Sequence, residues 1–242
     1  MTFQPKIFCL LGGFSTVVIA FFVSRESWLQ AADNPQKRNG LPKVSSTDFE
    51  DGKLTDWEPT DKSAWKISKS GKNTVYSLIK KRSEYEPPVR SPYNRSLLKN
   101  VSVSDFVMDV KLKSTQKDYN HRDLCLFFGF QDNSHFYYVH LGKKTDDHAN
   151  QIFIVNGKPR KKISYKTTDG TNWDDAWHDV RIVRDIESGK IDVYFDDMKK
   201  PVMQAVDKTF RKGRIGVGSF DDTGEFDDFV LYGHKVQQQS SQ

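Results

Sequence analysis

Cysteine is nearly absent from this 242-residue chain. Only Cys9 and Cys125 occur, which excludes a disulfide-stapled scaffold. With 15 glycines and 9 prolines, the chain has too few of either for a collagen-like or linker protein. No large charge excess exists: 37 basic and 32 acidic residues give +5, and the two signs are interspersed. A nucleic-acid partner is therefore not expected. The six histidines (121, 135, 140, 148, 178 and 234) show neither a His-x-x-x-His pair nor Cys/His spacing, so a catalytic zinc site is not expected. No Gly-x-Ser-x-Gly elbow is present. Gly216-Val217-Gly218 lacks the following helix of a dinucleotide loop.

Long apolar runs are also missing, apart from one. Ile7 to Val23 is a run of 17 uncharged residues, preceded by Lys6 and followed by Ser24-Arg25-Glu26 and the small pair Ala31-Ala32. That order is the pattern of an export signal cleaved near Ala32; the alternative is an uncleaved membrane anchor. Either places the remainder in a secreted, periplasmic or cell-surface location. Residues 33–44 read as a flexible spacer, 45–236 as one domain, and 237–242 as a disordered tail. Cys125 sits in Leu124-Cys125-Leu126-Phe127-Phe128 and reads as a buried small hydrophobe.

What is abundant is aromatic residues, 31 in all, enough to close a sizeable core. Their period is two. Phe106, Met108, Val110 and Leu112 recur at every second position with charged Asp109, Lys111 and Lys113 between the later ones; Val180 and Ile182, and then Ile191, Val193 and Phe195, recur in the same way. Arg184 reads as the wet end of its strand. Leu124–Phe130, Phe136–Leu141 and Ile152–Val155 are apolar on both faces and predict central strands between two layers. Asn156-Gly157 predicts a type I′ hairpin to a strand near Lys161–Tyr165. Asp169-Gly170, Ser188-Gly189 and Thr223-Gly224 mark other turns. No long amphipathic helix is legible. The fold predicted is all-β, an antiparallel β-sandwich of the jelly-roll kind.

Two pairs of segments carry a resemblance. Asp48-Phe49-Glu50-Asp51-Gly52 with Trp57 and Trp65-Lys66-Ile67 stands at the start. Gly213–Phe220 and Phe226–Gly233 stand at the end. Together they resemble the concanavalin A-like lectin/glucanase superfamily, in particular laminin-G-like and 3-keto-disaccharide-hydrolase-type domains of secreted bacterial proteins. The resemblance implies that the first and last strands pair. It also implies a polysaccharide or oligosaccharide partner. The Glu-x-Asp-x-x-Glu cluster of family 16 glycoside hydrolases is absent; beyond residue 32 glutamate occurs only at 50, 58, 84, 86, 187 and 225.

Phe136, Tyr138 and His140 share one strand face. A ring stacks on a pyranose while an imidazole bonds a hydroxyl, so Arg122, Asp123, Tyr138, His140 and Trp173 are the candidate carbohydrate-binding residues. Trp177 is assigned to the core and Trp173 to the rim. Arg122 with the same Tyr and His types would also serve a polysaccharide lyase, where arginine neutralises a uronate carboxylate. The resemblance further implies a structural calcium held by Asp51, the Gly52 carbonyl, Asp227 and Asp228. The expectation is thus a monomeric carbohydrate-binding domain, touching membrane only through its amino-terminal segment. A glycan-active enzyme and a protein-binding adhesion module are the alternatives.

Overall fold

The alternating runs become antiparallel strands. The computed structural model describes Met1 and residues 36–237; beyond Met1, the expected export signal lies outside the described residues, as does the tail after Gln237. The chain passes through β1 (Lys37–Arg38), β2 (Leu41–Thr47), β3 (Trp57–Pro59), β4 (Trp65–Ser70), β5 (Asn73–Leu78), β6 (Asn94–Ser114), β7 (Asp123–Asp132) and β8 (His135–Gly142). It continues through β9 (Gln151–Asn156), β10 (Lys161–Lys162), β11 (Ser164–Thr167), β12 (His178–Arg184), β13 (Lys190–Phe195), β14 (Met203–Val206), β15 (Gly213–Ser219) and β16 (Gly224–Lys235). A 3-10 turn at Lys62–Ala64 is the one helical element among the described residues.

Strand β6 ties two layers together. Its first part, Asn94–Leu98, pairs with β15 and β3, and its last part, Phe106–Leu112, pairs with β12 and β16. Asn100 between them takes a positive φ of 53° at an exposed bulge, where the pairing of β6 with β15 shifts register between Leu97 and Ser102. One layer runs β10-β9-β8-β7-β15-β6, and the other continues from β6 through β12, β13, β14 and β11. Strand β16 also pairs with β2 and β5. Leu126, Phe128, Tyr137 and Val139 from one layer pack in a single core with Met108, Val110, Ile182 and Val193 from the other. Burying each such side chain stabilises the fold by roughly 1.5–3 kcal/mol. The expected sandwich is the observed one, and its first and last long strands pair as the termini imply.

Gly216 and Gly218 are required by close approach. A Cβ on Gly218 would lie 2.1 Å from the Asn94 carbonyl oxygen, and one on Gly216 2.5 Å from that of Ser96.

Four local expectations are corrected. The span read as a spacer contains a β-hairpin: Arg38 pairs with Leu41 around Asn39-Gly40, whose φ values of 50° and 79° meet the demand of a type I′ turn. At Asn156-Gly157 only the glycine has positive φ, 66°, so no I′ turn forms. The connection there runs from Gly157 to Arg160 before Lys161 pairs with Ile154, and Ser164–Thr167 pairs instead with β14. Arg184 is not a wet strand end; it is buried, donating to the carbonyl oxygens of Gly189 (2.6 Å) and Asp207 (2.8 Å). The two tryptophans exchange places. Trp173 is buried with Nε1 donating to the Leu141 carbonyl oxygen at 2.7 Å, while Trp177 is half-buried.

Candidate functional site

Strands β7, β8 and β9 present a second apolar face, away from the main core. Cys125, Phe127, Phe136, Tyr138, Phe153, Val155 and Phe220 cluster there. The period-two alternation puts Tyr138 and His140 on this face, as the sequence predicts. The face is not open. Residues 79–93, which contain no strand or helix, lie against it through Val89 and Tyr93. Tyr93 meets Phe220 edge-on at 5.5 Å, and the Arg90 carbonyl oxygen accepts from the Arg160 amide at 3.0 Å. The Arg160 guanidinium sits 4.7 Å from the Phe153 ring and donates to the Tyr138 hydroxyl at 2.8 Å. Tyr138 is therefore 0% exposed. No sugar can stack on it in this arrangement.

The other predicted residues are buried too. Asp123 is 1% exposed and His140 5%. Nδ1 of His140 donates to the His148 carbonyl oxygen at 2.7 Å, and its Nε2 lies 3.1 Å from Asp123 Oδ2. The same Asp123 oxygen accepts from the Phe220 amide at 3.0 Å and faces the Cys125 Sγ at 3.4 Å. Burial pushes the Asp123 carboxyl up, but the adjacent His140 and these donors outweigh it and hold it below the ordinary value. Burial and the Asp123 charge push the Cys125 thiol well above its usual range. Together these groups clasp β7, β8 and the end of β15.

Arg122 is wrapped by acceptors: Nε donates to Ser114 Oγ at 3.0 Å, and Nη2 to the Ser114 carbonyl oxygen (2.8 Å) and Asp175 Oδ1 (3.0 Å). Its donors are spent on holding the loop. Arg122 and Trp173 do border one open hollow with Asp118, Lys143 and Asp175.

The calcium residues do not assemble as expected. Asp51 accepts from the Lys53 amide at 2.9 Å. Asp227 accepts from Asn73 Nδ2 at 3.1 Å and from the Asp228 amide at 2.8 Å, and Asp228 pairs with Lys111 at 2.8 Å. From the first-strand loop it is Glu50 whose charge is felt at Asp227; that carboxylate is itself held by the Thr74 amide at 2.7 Å. Among the described residues, acidic oxygens converge elsewhere: Asp123, Asp221 and Asp222 offer carboxylate oxygens within 4.8 Å of one another. Burial, then the charge of Asp123, pushes the Asp222 carboxyl up to about 6. Asp222 Oδ2 accepts from the Asp123 amide (2.9 Å) and the Tyr119 hydroxyl (2.8 Å). Asp222 Oδ2 is thus engaged, and both Asp123 oxygens accept from Ser219 Oγ at 3.3–3.4 Å; their remaining lone pairs, with Asp222 Oδ1 and Asp221, form an oxygen-only donor set suited to a hard cation.

An open polar cleft lies at the edge of the covered face, and no motif in the sequence points to it. Glu58, Pro59 and Thr60 of β3 and its turn, Tyr85, Arg95, Leu97, Phe130, Asn133 and Arg214 line about 350 Å³. Asn133 belongs to the β7–β8 turn and accepts from Arg95 Nη2 at 2.6 Å. Arg214 Nη2 donates to Glu58 Oε2 at 2.5 Å. These residues are distant in sequence and share no motif, so only the pairing of β3, β6 and β15 brings them together.

No protein-family model matches the chain, and no curated protein matches it in sequence. Solved structures match its fold. The carbohydrate-binding module CBM66 from Bacillus subtilis is similar with a TM-score of 0.52 at 17% identity, over 74% of this chain and 96% of that one. Domain 4 of AbnA, a GH43 extracellular arabinanase from Geobacillus stearothermophilus in complex with arabinotriose, gives 0.51 at 12%, over 81% and 95%. The exoplasmic/lumenal domain of VIP36 in its Ca2+/Man3GlcNAc-bound form gives 0.51 at 14%, over 81% and 93%. The architecture is that of lectin and carbohydrate-binding-module sandwiches.

Proposed function

We propose that the domain binds carbohydrate through the cleft lined by Thr60, Tyr85, Asn133 and Arg214. The observation that carries this reading is the cleft itself, about 350 Å³ in which an aromatic wall of Tyr85 and Phe130 faces side chains that donate and accept hydrogen bonds. Sugars present an apolar ring face and a rim of hydroxyls, and that pairing of surfaces matches both. The sandwich architecture shared with lectins and carbohydrate-binding modules supports the reading, as does the resemblance of the first and last segments to laminin-G-like and 3-keto-disaccharide-hydrolase-type domains. Tyr138, His140 and Asp123 serve it indirectly, by fixing the sheet that carries Asn133 and Phe130. Sealed from solvent, the Asp123–His140 pair has no route to a substrate, so binding is favoured over catalysis. An exported monomer is the matching form, and the amino-terminal pattern supports export. The Asp123, Asp221 and Asp222 oxygens are the donor set on which calcium would act, as a structural ion tying β7 to the β15–β16 turn.

A glycan array followed by calorimetry on the best ligand tests the reading. Asn133→Ala and Tyr85→Ala should each weaken binding by about 1–3 kcal/mol through lost hydrogen bonding or ring contact. Affinity unchanged in both variants, with a folded protein, would move the site elsewhere.

A further inference from the structure

Three arginines are buried among the described residues, and they are not alike. Arg122 and Arg184 spend their guanidinium hydrogens on carbonyl, hydroxyl and carboxylate oxygens. Arg95 is equally buried, 2% exposed, yet its one close hydrogen bond runs from Nη2 to Asn133 Oδ1; Nε and Nη1 have no well-aligned acceptor, and the neutral Tyr85 hydroxyl is the neighbour that most eases the charge. No carboxylate pairs with it within 4.0 Å among the described residues. Guanidinium does not shed its proton inside proteins, so the charge persists. A buried charge left unpaired is costly. The rings around it compensate only in part. Phe130 lies 4.5 Å from its carbon, Tyr85 5.4 Å and Phe136 5.5 Å. Ring faces attract the cation but accept none of its in-plane N–H hydrogens.

The surroundings are biased toward an anion. Arg214 adds a second guanidinium to the cleft against the single carboxylate of Glu58, which Arg214 already holds. Over Arg95 lies Tyr85, whose buried hydroxyl has no well-aligned partner and whose nearest charged group is Arg95 itself. It belongs to the 79–93 segment, which contains no strand or helix. Tyr85 and Arg95 both line the cleft, so the guanidinium edge lies in its wall beside the ring.

We propose that Arg95 is the binding group for a carboxylate carried by an acidic sugar residue, so that the ligand is a uronate-containing glycan. A planar carboxylate matches the guanidinium fork with two parallel hydrogen bonds. Thr60 and Asn133 then flank the sugar hydroxyls. This inference rests on the carbohydrate-binding reading above and narrows it to acidic glycans.

The test uses the full domain with a de-esterified galacturonate tetramer and its carboxyl-reduced galactose counterpart, by calorimetry and by following Arg Nε–H signals in 15N-labelled protein. The tetrauronate should bind at least tenfold more tightly than the neutral form, about 1.4 kcal/mol. It should shift the Arg95 Nε–H signal, identified by its loss in Arg95→Lys. The same variant should lose most of the preference while far-UV circular dichroism stays unchanged. The wild-type comparison of the two tetramers stands even if that variant does not fold. Equal binding of both forms, or a uronate preference that survives in folded Arg95→Lys, overturns the role of Arg95 and leaves carbohydrate binding intact. Failure of both forms and of every arrayed glycan to bind overturns the carbohydrate reading, and this inference with it.

Discussion

Replacing Tyr138 with alanine separates a ligand-stacking ring from a structural one. The ring is fully buried, 5.1 Å from Phe153 and 5.9 Å from Phe127 in stacked contacts, and its hydroxyl accepts from Arg160. Truncation removes the transfer free energy of the ring and leaves a cavity under residues 79–93. For aromatic-to-alanine changes this costs about 3–5 kcal/mol. At roughly 2–4 °C per kcal/mol for a domain of this size, Tm should fall by about 6–20 °C. Phe128→Ala, in the main core, should fall by a similar amount. Tyr138→Phe keeps the ring and loses one hydrogen bond to Arg160, which water can replace, so it should cost only about 1 kcal/mol. Thermal unfolding by circular dichroism measures all three. Glycan affinity, measured well below the Tm of the Tyr138→Ala protein, should stay within about twofold of wild type. The reasoning is refuted if that protein melts within about 2 °C of wild type while its glycan binding drops by an order of magnitude. In that case the 79–93 segment would have to lift away and expose the ring to the sugar.

Three further outcomes are expected. Asp222 has its folded pKa raised from 3.8 to about 6, so its contribution favours the fold below the unfolded value and is lost as pH rises through the folded one. In EDTA-treated protein the stability of Asp222→Asn relative to wild type should therefore grow between pH 4 and 7 by up to about 3 kcal/mol; a difference that does not change with pH contradicts the burial argument. With calcium at about 100 times its dissociation constant, the domain should gain roughly 2.7 kcal/mol, and EDTA should lower Tm by several degrees; no shift, and no metal in the purified protein, removes calcium. Gly218→Ala should cost about 3 kcal/mol or more, because the Asn94 carbonyl oxygen 2.1 Å from the new Cβ is backbone inside a strand pair and cannot step aside; soluble protein with wild-type Tm would show that β6 and β15 can separate.

The sequence by itself determined most of the long strands and their faces, and the resemblance carried by its end segments added the pairing of the chain ends. Alternation is a local property: successive side chains in an extended chain point to opposite sides wherever the strand ends up. Hence Tyr137, Val139 and Leu141 fall into the main core while Phe136 and Tyr138 fall into the second cluster. The glycines of β15 were legible for a similar reason, since a missing side chain in a strand marks close approach. Turn chemistry was legible but ambiguous. Two Asn-Gly pairs occur, and only Asn39-Gly40, flanked at once by residues able to pair, closed into the tight turn, whereas Asn156-Gly157 opened into a longer connection ending at Arg160. Tertiary structure alone decided what covers each face. No periodicity reveals that residues 79–93 fold over Tyr138, so a strand face that reads as a groove is filled. Nor does local pattern reveal which of two nearby tryptophans finds a carbonyl partner in the core, as Trp173 does at Leu141. Arg95 reads in sequence as one more strand arginine. Its meaning comes from burial beside Phe130, Tyr85 and Arg214, contributed by β7, the 79–93 segment and β15. Electrostatic cost depends on the distance to every other charge, and those distances exist only once the strands have been paired.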